Sequence, residues 1–391
     1  MMKQVTTILA ILLGFTMNAQ WLYGSSGVGV QQSSCNASGV ASTAMGNSTT
    51  ASGTFSTAMG NGPIASGYAS TAMGVGTTTA SGTSSTAMGG YTTASGWAST
   101  AMGYSTIASG DYSTAMGQST IASGSESTAM GAYTTASGYS STAMGDNTTA
   151  SGNSSTAMGY ATTASGYSST AMGNGTTASG TSSTAMGDNT KATDYASLTV
   201  GRYNSVNRIM TSGGDSTAFD TDNAAFVIGN GTASNAVSDA FVVRFNGNAT
   251  LSGNLTINSD ERLKDNIKPL GSTLNKLHQI EAKTYSLKKD EEHTPKIGVL
   301  AQEVQAVFPE LVTEGADGIL SVNYQGLVPV LINAINEQQL KMSEQQLKMS
   351  EQDAKIAALE AQNAEIKELK EMVRVLALQQ SQTTSFLQAG L

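Results

Sequence analysis

The sequence predicts a mainly β N-terminal region, followed by an α+β module and a C-terminal trimeric coiled coil. Three observations lead to this organisation. A 14-residue repeat occupies residues 37–190, spaced motifs begin at residue 259, and a seven-residue period appears after residue 336. A fixed short period is typical of a solenoid, whereas apolar heptads are typical of coiled coils. We therefore expect a rod, a connector and an assembly unit, in that order.

Residues 1–19 have the features of a secretory signal peptide. Lys3 supplies a positive charge, residues 8–15 are apolar, and Ala19 is a small residue at the expected cleavage point. The apolar stretch is shorter than the roughly 20 residues of a membrane-spanning helix. We expect export and removal of this segment, then a linker over residues 20–36 and no integral membrane segment in the mature chain. An N-terminal anchor helix is the alternative.

Composition and charge narrow the classes of function. No Lys or Arg lies between Lys3 and Lys191, and the formal net charge is −9. Nucleic-acid binders need clustered cations that displace counterions from phosphates, so nucleic acid is not an expected partner. The chain has one cysteine, Cys35, and therefore no intrachain disulfide. His278 and His293 lack matching Cys or carboxylate spacing, so we expect neither a metal nor another cofactor.

The repeat over residues 37–190 has the unit ASGxxSTAMGxxTT, and STAMG occurs eleven times. Alternation along a strand sends its alanine to one face and its methionine to the other. Glycine at each corner permits positive φ or close approach of the backbone. The methionine face is expected to pack on other chains, because one coil buries too little apolar area to offset the ordering of its backbone. The residues after each glycine vary, and we expect these positions to be exposed: Tyr68, Trp97, Asp111, Tyr139 and Asn153.

The segment from Ser113-Thr114-Ala115-Met116-Gly117 to Ile121-Ala122-Ser123-Gly124 resembles the head repeat of YadA-like trimeric autotransporter adhesins. This resemblance implies a homotrimeric, left-handed parallel β-roll on an outer cell surface. It also implies an unknown surface ligand, which is a glycan or a protein. The chain departs from the family at the strand position where methionine stands, since those repeats usually carry Ile or Val there.

Residues 191–258 are expected to form a β neck that links the rod to the C-terminal module. Residues 197–201 look like a degenerate last coil. Residues 225–231 and 241–247 are predicted strands that end in Asn-Gly turns, and residues 251–257 are a further predicted short strand. We expect no chemistry in this segment.

The segment Ser259-Asp260-x-Arg262-x-Lys264-x-x-Ile267 resembles the start of the peptidase S74 intramolecular chaperone domain of phage tailspikes and fibres. Residues 298–304, GVLAQEV, resemble a second motif of that family. Residues 321–324, SVNY, resemble a third, with Asn in place of the usual Asp. The resemblance implies a trimeric chaperone domain over residues 259–335 that aligns the upstream fibre. It further implies self-cleavage of the Asn258-Ser259 bond, which releases the domain.

The implied enzyme is a single-turnover serine autoprotease, with Ser259 as the nucleophile and Lys264 as the base. A hydroxyl is a weak nucleophile unless a base removes its proton, and a lysine serves only when neutral, after burial or beside other cations. Arg262 is a candidate supporting cation, which Asp260 would oppose, and Glu303 is a candidate for orienting the dyad. A trimerising cap that keeps the motif without cutting is the alternative.

Residues 336–380 are predicted to form a three-stranded parallel coiled coil, followed by a tail over residues 381–391. Residues 337–343 recur identically at 344–350. A lone surface helix is the alternative. The coil is expected to hold three chains together while the β-roll folds, because the register of such a roll is weakly fixed and its folding slow. Apolar residues later recur every seven positions: Leu359, Ile366 and Val373, with Leu369 and Leu376.

The leading interpretation is a secreted, adhesin-like trimeric fibre on the outer membrane surface of a bacterium. An ice-binding β-solenoid is an alternative because threonines stack at fixed positions, although variable aromatic and acidic residues break the regularity. A phage tail fibre is another alternative, against which the signal peptide argues. A carbohydrate-cleaving spike is disfavoured because the carboxylates of the repeats lie in different coils: Asp111, Glu126, Asp146 and Asp188.

Overall fold

The computed structural model describes residues 20–24, 27–31, 34–205, 215–288 and 293–388, with side chains over 34–205, 215–288 and 293–382. The predicted signal peptide, residues 1–19, lies outside the described residues. The chain divides into two compact units, Met1–Ile257 and Asn258–Leu391.

The repeats form a β-solenoid in which each turn contributes one five-residue strand and one two-residue strand. Equivalent residues of successive turns pair in parallel, as Met116 does with Met102 and Met130. The long strands of the turns are Thr43–Asn47, Thr57–Asn61, Thr71–Val75, Thr86–Gly90, Thr100–Tyr104, Thr114–Gln118, Thr128–Ala132, Thr142–Asp146, Thr156–Tyr160, Thr170–Asn174, Thr184–Asp188 and Leu198–Arg202. The short strands, which form a 12-stranded sheet, are Asn36–Ala37, Thr50–Ala51, Ile64–Ala65, Thr79–Ala80, Thr93–Ala94, Ile107–Ala108, Ile121–Ala122, Thr135–Ala136, Thr149–Ala150, Thr163–Ala164, Thr177–Ala178 and Lys191–Ala192.

Two columns of alanine fill the interior of the solenoid. Ala115 and Ala122 of one turn are both 0 % exposed, and their equivalents in the other turns form one continuous cluster with them. Thr114 and Met116, which alternate with the buried residues along the strand, are partly exposed. The predicted division of alanine and methionine between the two faces is therefore confirmed.

The two glycines of each turn serve close stacking in different ways. Gly117 has φ 121°, and a Cβ on this residue would overlap the carbonyl oxygen of Gly131 in the next turn. Gly124 has no left-handed backbone, but a Cβ here would overlap the carbonyl oxygen of Gly138. Backbones this close exclude any other residue at both corners. The variable positions that follow the glycines are exposed as predicted, with Tyr139 51 % exposed.

Polar groups close the sheet of short strands at the last turn of the solenoid. At the last turn, Asn204 replaces a further short strand, because its side chain accepts from Lys191 N at 2.7 Å and donates to Lys191 O at 2.9 Å. Asp194 accepts from Ala224 N at 2.8 Å. These contacts satisfy backbone groups that the next turn would otherwise pair.

The predicted neck continues the sheet of long strands. Leu198–Arg202 pairs with the preceding turn, as expected for a degenerate coil, and Ala224–Asn230 pairs in parallel with it. Asp239–Arg244 and Ala249–Leu251 then add antiparallel strands. The strand predicted over residues 251–257 is wrong beyond Leu251, because the residues after it are exposed and form no strand. Within the segment expected as a linker, Gln20–Gly24 and Gly27–Gln31 pair antiparallel.

The C-terminal unit combines short helices and hairpins around a small core. Val304, Phe308 and Val330 are its buried apolar centre. Its helices are α1 (Leu274–Leu277), α2 (Ala301–Val307) and α3 (Leu327–Gln388). Its first hairpin pairs Lys283–Tyr285 with Lys296–Gly298, and its second pairs Val312–Glu314 with Leu320–Val322. Its 3₁₀ turns are Glu261–Leu263, Pro309–Leu311 and Tyr324–Gly326.

Helix α3 is 62 residues long and begins at Leu327, nine residues before the predicted start at Asn336. Pro329 is compatible with this start because the first helical turn needs no backbone N–H donor. Every described side chain over residues 338–382 is exposed. The coiled coil itself stays a prediction, since it requires further chains. None of the helices in the described ranges has the length and hydropathy needed to cross a bilayer.

Candidate processing site

Ser259 and Lys264 lie side by side at the start of the C-terminal unit. Lys264 Nζ donates a hydrogen bond to Ser259 Oγ at 2.7 Å. The 3₁₀ turn Glu261–Leu263 lies between them and reverses the chain, and Lys264 N closes it on Glu261 O at 3.0 Å. The sequence spacing of five residues is thus converted into direct contact by one tight turn.

Asp260 and Arg262 stabilise that turn. Asp260 caps it by accepting from Arg262 N at 2.9 Å, and its carboxylate also receives the guanidinium at 3.0 and 2.7 Å. The Arg262 side chain holds the pKa of Asp260 below its usual range, and the carboxylate in turn raises the pKa of Arg262. Because these opposite charges pair, the net electrostatic effect of Arg262 on Lys264 is smaller than its sequence position suggests.

Glu303 makes its contacts at another place in the same unit. It accepts from Glu281 N at 3.0 Å and from Lys283 Nζ at 3.0 Å. The Glu281 backbone hydrogen bond, followed by the Lys283 hydrogen bond, lowers the pKa of Glu303. In this chain Glu303 therefore ties α2 to the first hairpin, and its predicted support of the Ser259–Lys264 pair stays a prediction.

The processing pair is open to solvent in the single chain. Ser259, Lys264 and all residues from 252 to 271 are exposed. A lysine that donates to a hydroxyl orients it, but the lysine removes a proton only in its neutral form. Burial favours that neutral form. The 2.7 Å contact thus places the amine within hydrogen-bond reach of the hydroxyl, and in a single chain both groups face solvent.

A contact that the sequence did not reveal joins α1 to α3. Glu337 accepts from Thr273 N at 2.6 Å, from Ser272 Oγ at 2.8 Å and from Asn333 Nδ2 at 2.9 Å. The Thr273 backbone N–H is the main reason that the pKa of Glu337 lies below its usual value. Ser272-Thr273 before an apolar run was a visible helix-start signal, but its partner lies 64 residues away and no local pattern points to it.

Among the residues that the structure describes, the histidines and carboxylates do not converge on a metal site. Within the described ranges, no group of three His, Cys, Asp or Glu side chains is placed to hold a metal ion. The carboxylates of the solenoid lie in separate turns, as Asp111 precedes Thr114–Gln118 and Asp146 ends Thr142–Asp146.

Two family models match the chain in the order that the motifs indicated. The model described as YadA head domain repeat matches residues 37–62 and eight overlapping segments that together cover residues 80–198. The model described as Chaperone of endosialidase, of the peptidase S74 family, matches residues 259–313. The chain therefore carries YadA head repeats followed by an S74 chaperone domain, and the second match includes both Ser259 and Lys264.

Related curated proteins are phage tail fibres. The chain is 39 % identical over 89 residues to the long tail fiber protein Gp37 of Escherichia phage AR1. This match covers 21 % of this chain and 8 % of that protein. It is 32 % identical over 152 residues to Gp37 of Enterobacteria phage K3, covering 35 % and 12 %. It is 28 % identical over 179 residues to Gp37 of Salmonella phage S16, covering 44 % and 20 %. The matches thus span a fifth or less of the length of these relatives.

Proposed function

We propose that this protein is a trimeric surface-binding fibre whose C-terminal unit assembles the chains and then cuts itself off between Asn258 and Ser259. The observation that carries the cleavage proposal is the 2.7 Å contact of Lys264 Nζ with Ser259 Oγ. It lies at the first residues of the segment matched by the chaperone family. The fibre proposal is supported by the solenoid and by the phage long tail fibre relatives.

The partly exposed methionine column is the proposed contact between chains in the rod. One methionine per turn recurs at the same strand position, and successive methionines pair in register. A column of this kind leaves an apolar stripe along the whole solenoid, which three parallel chains can bury around a common axis. Methionine suits such a contact because its unbranched side chain adapts to irregular gaps.

Cleavage follows from the position of the nucleophile beside the bond that breaks. Ser259 Oγ attacks the carbonyl carbon of Asn258, and its proton passes to neutral Lys264 Nζ. The C–N bond breaks as that proton moves to the leaving amide nitrogen, so the peptide becomes an ester between the Asn258 acyl group and Ser259 Oγ. Water then hydrolyses the ester, leaving a carboxylate on Asn258 and a free α-amine on Ser259. Each chain cuts once.

Assembly is the proposed trigger. In the single chain the dyad is exposed to water, and a lysine amine accepts a proton only when it is neutral. Packing of neighbouring chains over residues 259–264 would remove water and favour the neutral amine. Cleavage would then occur only after the three chains have aligned, which is the order that a chaperone of fibre assembly requires.

Mass spectrometry of the full-length chain beside single variants tests this proposal. We expect fragments ending at Asn258 and beginning at Ser259, and we expect neither from Ser259→Ala or Lys264→Met. Ser286→Ala is the matched control, because Ser286 is an exposed serine of the same unit and should cut normally. Light scattering on the same samples measures the oligomer. An uncut wild-type chain in a stable trimer would refute the autoprotease, and a monomer under all conditions would refute the fibre.

Mixed trimers separate attack within a chain from attack between neighbours. Chains carrying Ser259→Ala lack the nucleophile, and chains carrying Lys264→Met lack the base. If a lysine activates the serine of its neighbour, refolding the two together should restore cleavage of the Lys264→Met chains. If the lysine acts only within its own chain, the mixture stays uncut.

Such a fibre belongs either to a bacterial surface or to a virion, and the two locations differ in whether residues 1–19 must act as an export signal. A cell-surface fibre needs export, as the proposed signal peptide provides, whereas the relatives are phage proteins. Fusing residues 1–60 to a reporter that is active only after export distinguishes them. Export of the reporter, lost on deletion of residues 8–15, is expected for the surface fibre. Retention inside the cell would favour the phage tail fibre.

A further inference from the structure

One edge of the solenoid presents aromatic rings that are two or three turns apart. The aromatic edge is formed by the first residue after each Ala-Ser-Gly corner, and Tyr68, Trp97, Tyr139 and Tyr167 stand there. These rings are 46–58 % exposed. Tyr68 and Trp97 are two turns apart, as are Tyr139 and Tyr167. At about 4.8 Å per turn, each pair is spaced by about 10 Å along the rod.

Polar side chains from adjacent turns form hydrogen bonds with the two residues that carry the central rings, Trp97 and Tyr139. Asp111 Oδ1 accepts from Trp97 N at 2.9 Å, and Asn153 Oδ1 accepts from Tyr139 N at 3.1 Å. Glu126 accepts from the Tyr139 hydroxyl at 2.8 Å. The edge therefore combines ring faces with carboxylate and amide groups, and hydrogen bonds restrain part of it. A restrained surface loses less conformational entropy when a ligand binds.

The charge of this region limits the class of ligand. Residues 37–190 contain no Lys or Arg, and all four of their charged residues are acidic. An anionic polymer would meet repulsion here and find no counter-charge. Ring faces pack well against the C–H faces of sugar rings, and oxygens of carboxylate and amide groups accept from sugar hydroxyls. Repeated rings without cations fit an uncharged sugar polymer better than a cationic peptide, which would need clustered acids, whereas the four acids here lie in four separate turns.

We propose that the aromatic edge binds a neutral polysaccharide laid along the rod. This inference deepens the fibre function proposed above and rests on it. The two rings of each pair, about 10 Å apart, contact sugars that are not adjacent in the polymer. The polar groups between the rings, Asp111 and Asn153, accept hydrogen bonds from hydroxyls. Binding of this kind is weak at each ring and gains strength from repetition along the chain and across a trimer.

Assembly through the methionine column leaves the aromatic edge accessible. In the turn that contains Met116, the aromatic edge precedes Thr114 and the opposite edge begins after Gly117. The methionine column thus borders the opposite edge. The column formed by Thr114 and its equivalents lies between the methionine column and the aromatic edge. Packing centred on methionine therefore covers the opposite edge first.

Calorimetry on the full-length fibre with defined oligosaccharides tests the proposal. The neutral probes are cellohexaose, chitohexaose and maltohexaose, the anionic probe is polygalacturonate, and the cationic probe is decalysine. The test variant is Trp97→Thr with Tyr139→Thr, since Thr83 and Thr181 occupy the same position in other turns. The matched control is Tyr160→Asn, a ring of the opposite edge that is 58 % exposed and is followed by Asn174 in the next turn.

We expect at least one neutral hexasaccharide to bind, with its Kd raised about tenfold or more in the double variant and within about twofold of wild type in the control. Absence of binding by all three neutral probes, an unchanged Kd in the double variant, or tighter binding of polygalacturonate or decalysine would overturn the proposal. Light scattering and fragment masses from the same samples report assembly and cleavage. If the protein forms a processed trimer but binds no neutral sugar, the ligand proposal is wrong while the proposed fibre function still stands.

Discussion

The solenoid and the C-terminal unit bury their side chains in contrasting ways. In the solenoid each turn packs on the next turn of the same chain, and the alanines of its core are at most 1 % exposed. In the C-terminal unit the buried apolar centre is small, and α3 is exposed over residues 338–382. A long helix in water gains most of its stability from packing rather than from propensity. The comparison shows that contacts within one chain hold the solenoid turns in register, whereas the apolar side chains of α3 stay exposed in a single chain.

The largest expected effect comes from Gly117→Ala, which breaks stacking between turns. Its Cβ would overlap Gly131 O, and φ is 121°. We expect a loss of about 3 kcal/mol or more. For a unit of this size that corresponds to roughly 6–12 °C in the melting temperature of the solenoid. Circular dichroism at β-sheet wavelengths measures it, and α3 should keep its helical signal.

Gly90→Ala is the control for that substitution. Gly90 ends a long strand without positive φ, and Ala132 fills the equivalent position in a later turn. Only the ring of Tyr104 lies close to the added Cβ, at 3.1 Å. We expect a shift within about 2 °C. Equal melting temperatures for the two variants would show that turn-to-turn contact does not determine the stability of the rod.

The second expected effect is on assembly, through Ile366→Asn combined with Val373→Asn in α3. Both side chains are exposed in the single chain, at 48 % and 62 %, and both lie on the predicted coiled-coil seam. Amides on that seam would be buried against apolar partners, so we expect trimer association to weaken about 100-fold. Sedimentation equilibrium measures this. Gln362→Asn, which changes an exposed polar residue of the same helix, is the control. If the double variant associates as strongly as this control, the coiled coil does not contribute to assembly.

The parts of the fold that repeat were the parts that the sequence could predict. Eleven copies of one pattern show which positions are constant and which vary. The buried face, the corner glycines and the exposed variable positions can therefore be predicted from the repeat. Contacts made once were predicted less well. The extent of the strand at Leu251, the pairing of Arg262 with Asp260 and the contact of Glu337 with Thr273 each depend on a single tertiary arrangement. No period in the sequence encodes such contacts.

The smallest expected effect is a change in pH dependence at the contact between α1 and α3. Hydrogen bonds, first from Thr273 N, lower the pKa of Glu337. A carboxylate with a lowered pKa stabilises the folded state above its unfolded value of about 4.3, and the contribution disappears as the pH falls through the folded pKa. We therefore expect amide exchange over α1 to accelerate as the pH falls from about 5 to 3, beyond the intrinsic change in exchange rate.

Glu337→Gln should remove most of that acceleration while leaving α1 less protected at neutral pH, because an amide accepts these hydrogen bonds less strongly than a carboxylate does. Glu344→Gln is the matched control, since Glu344 is an exposed carboxylate one heptad later on the same helix, and it should keep the wild-type slope. Hydrogen exchange with mass spectrometry resolves α1 within the full chain. Parallel pH profiles for wild type and Glu337→Gln would mean that α1 is held by its apolar contacts, so that the small core around Val304 and Phe308 is enough to fix the unit without this carboxylate.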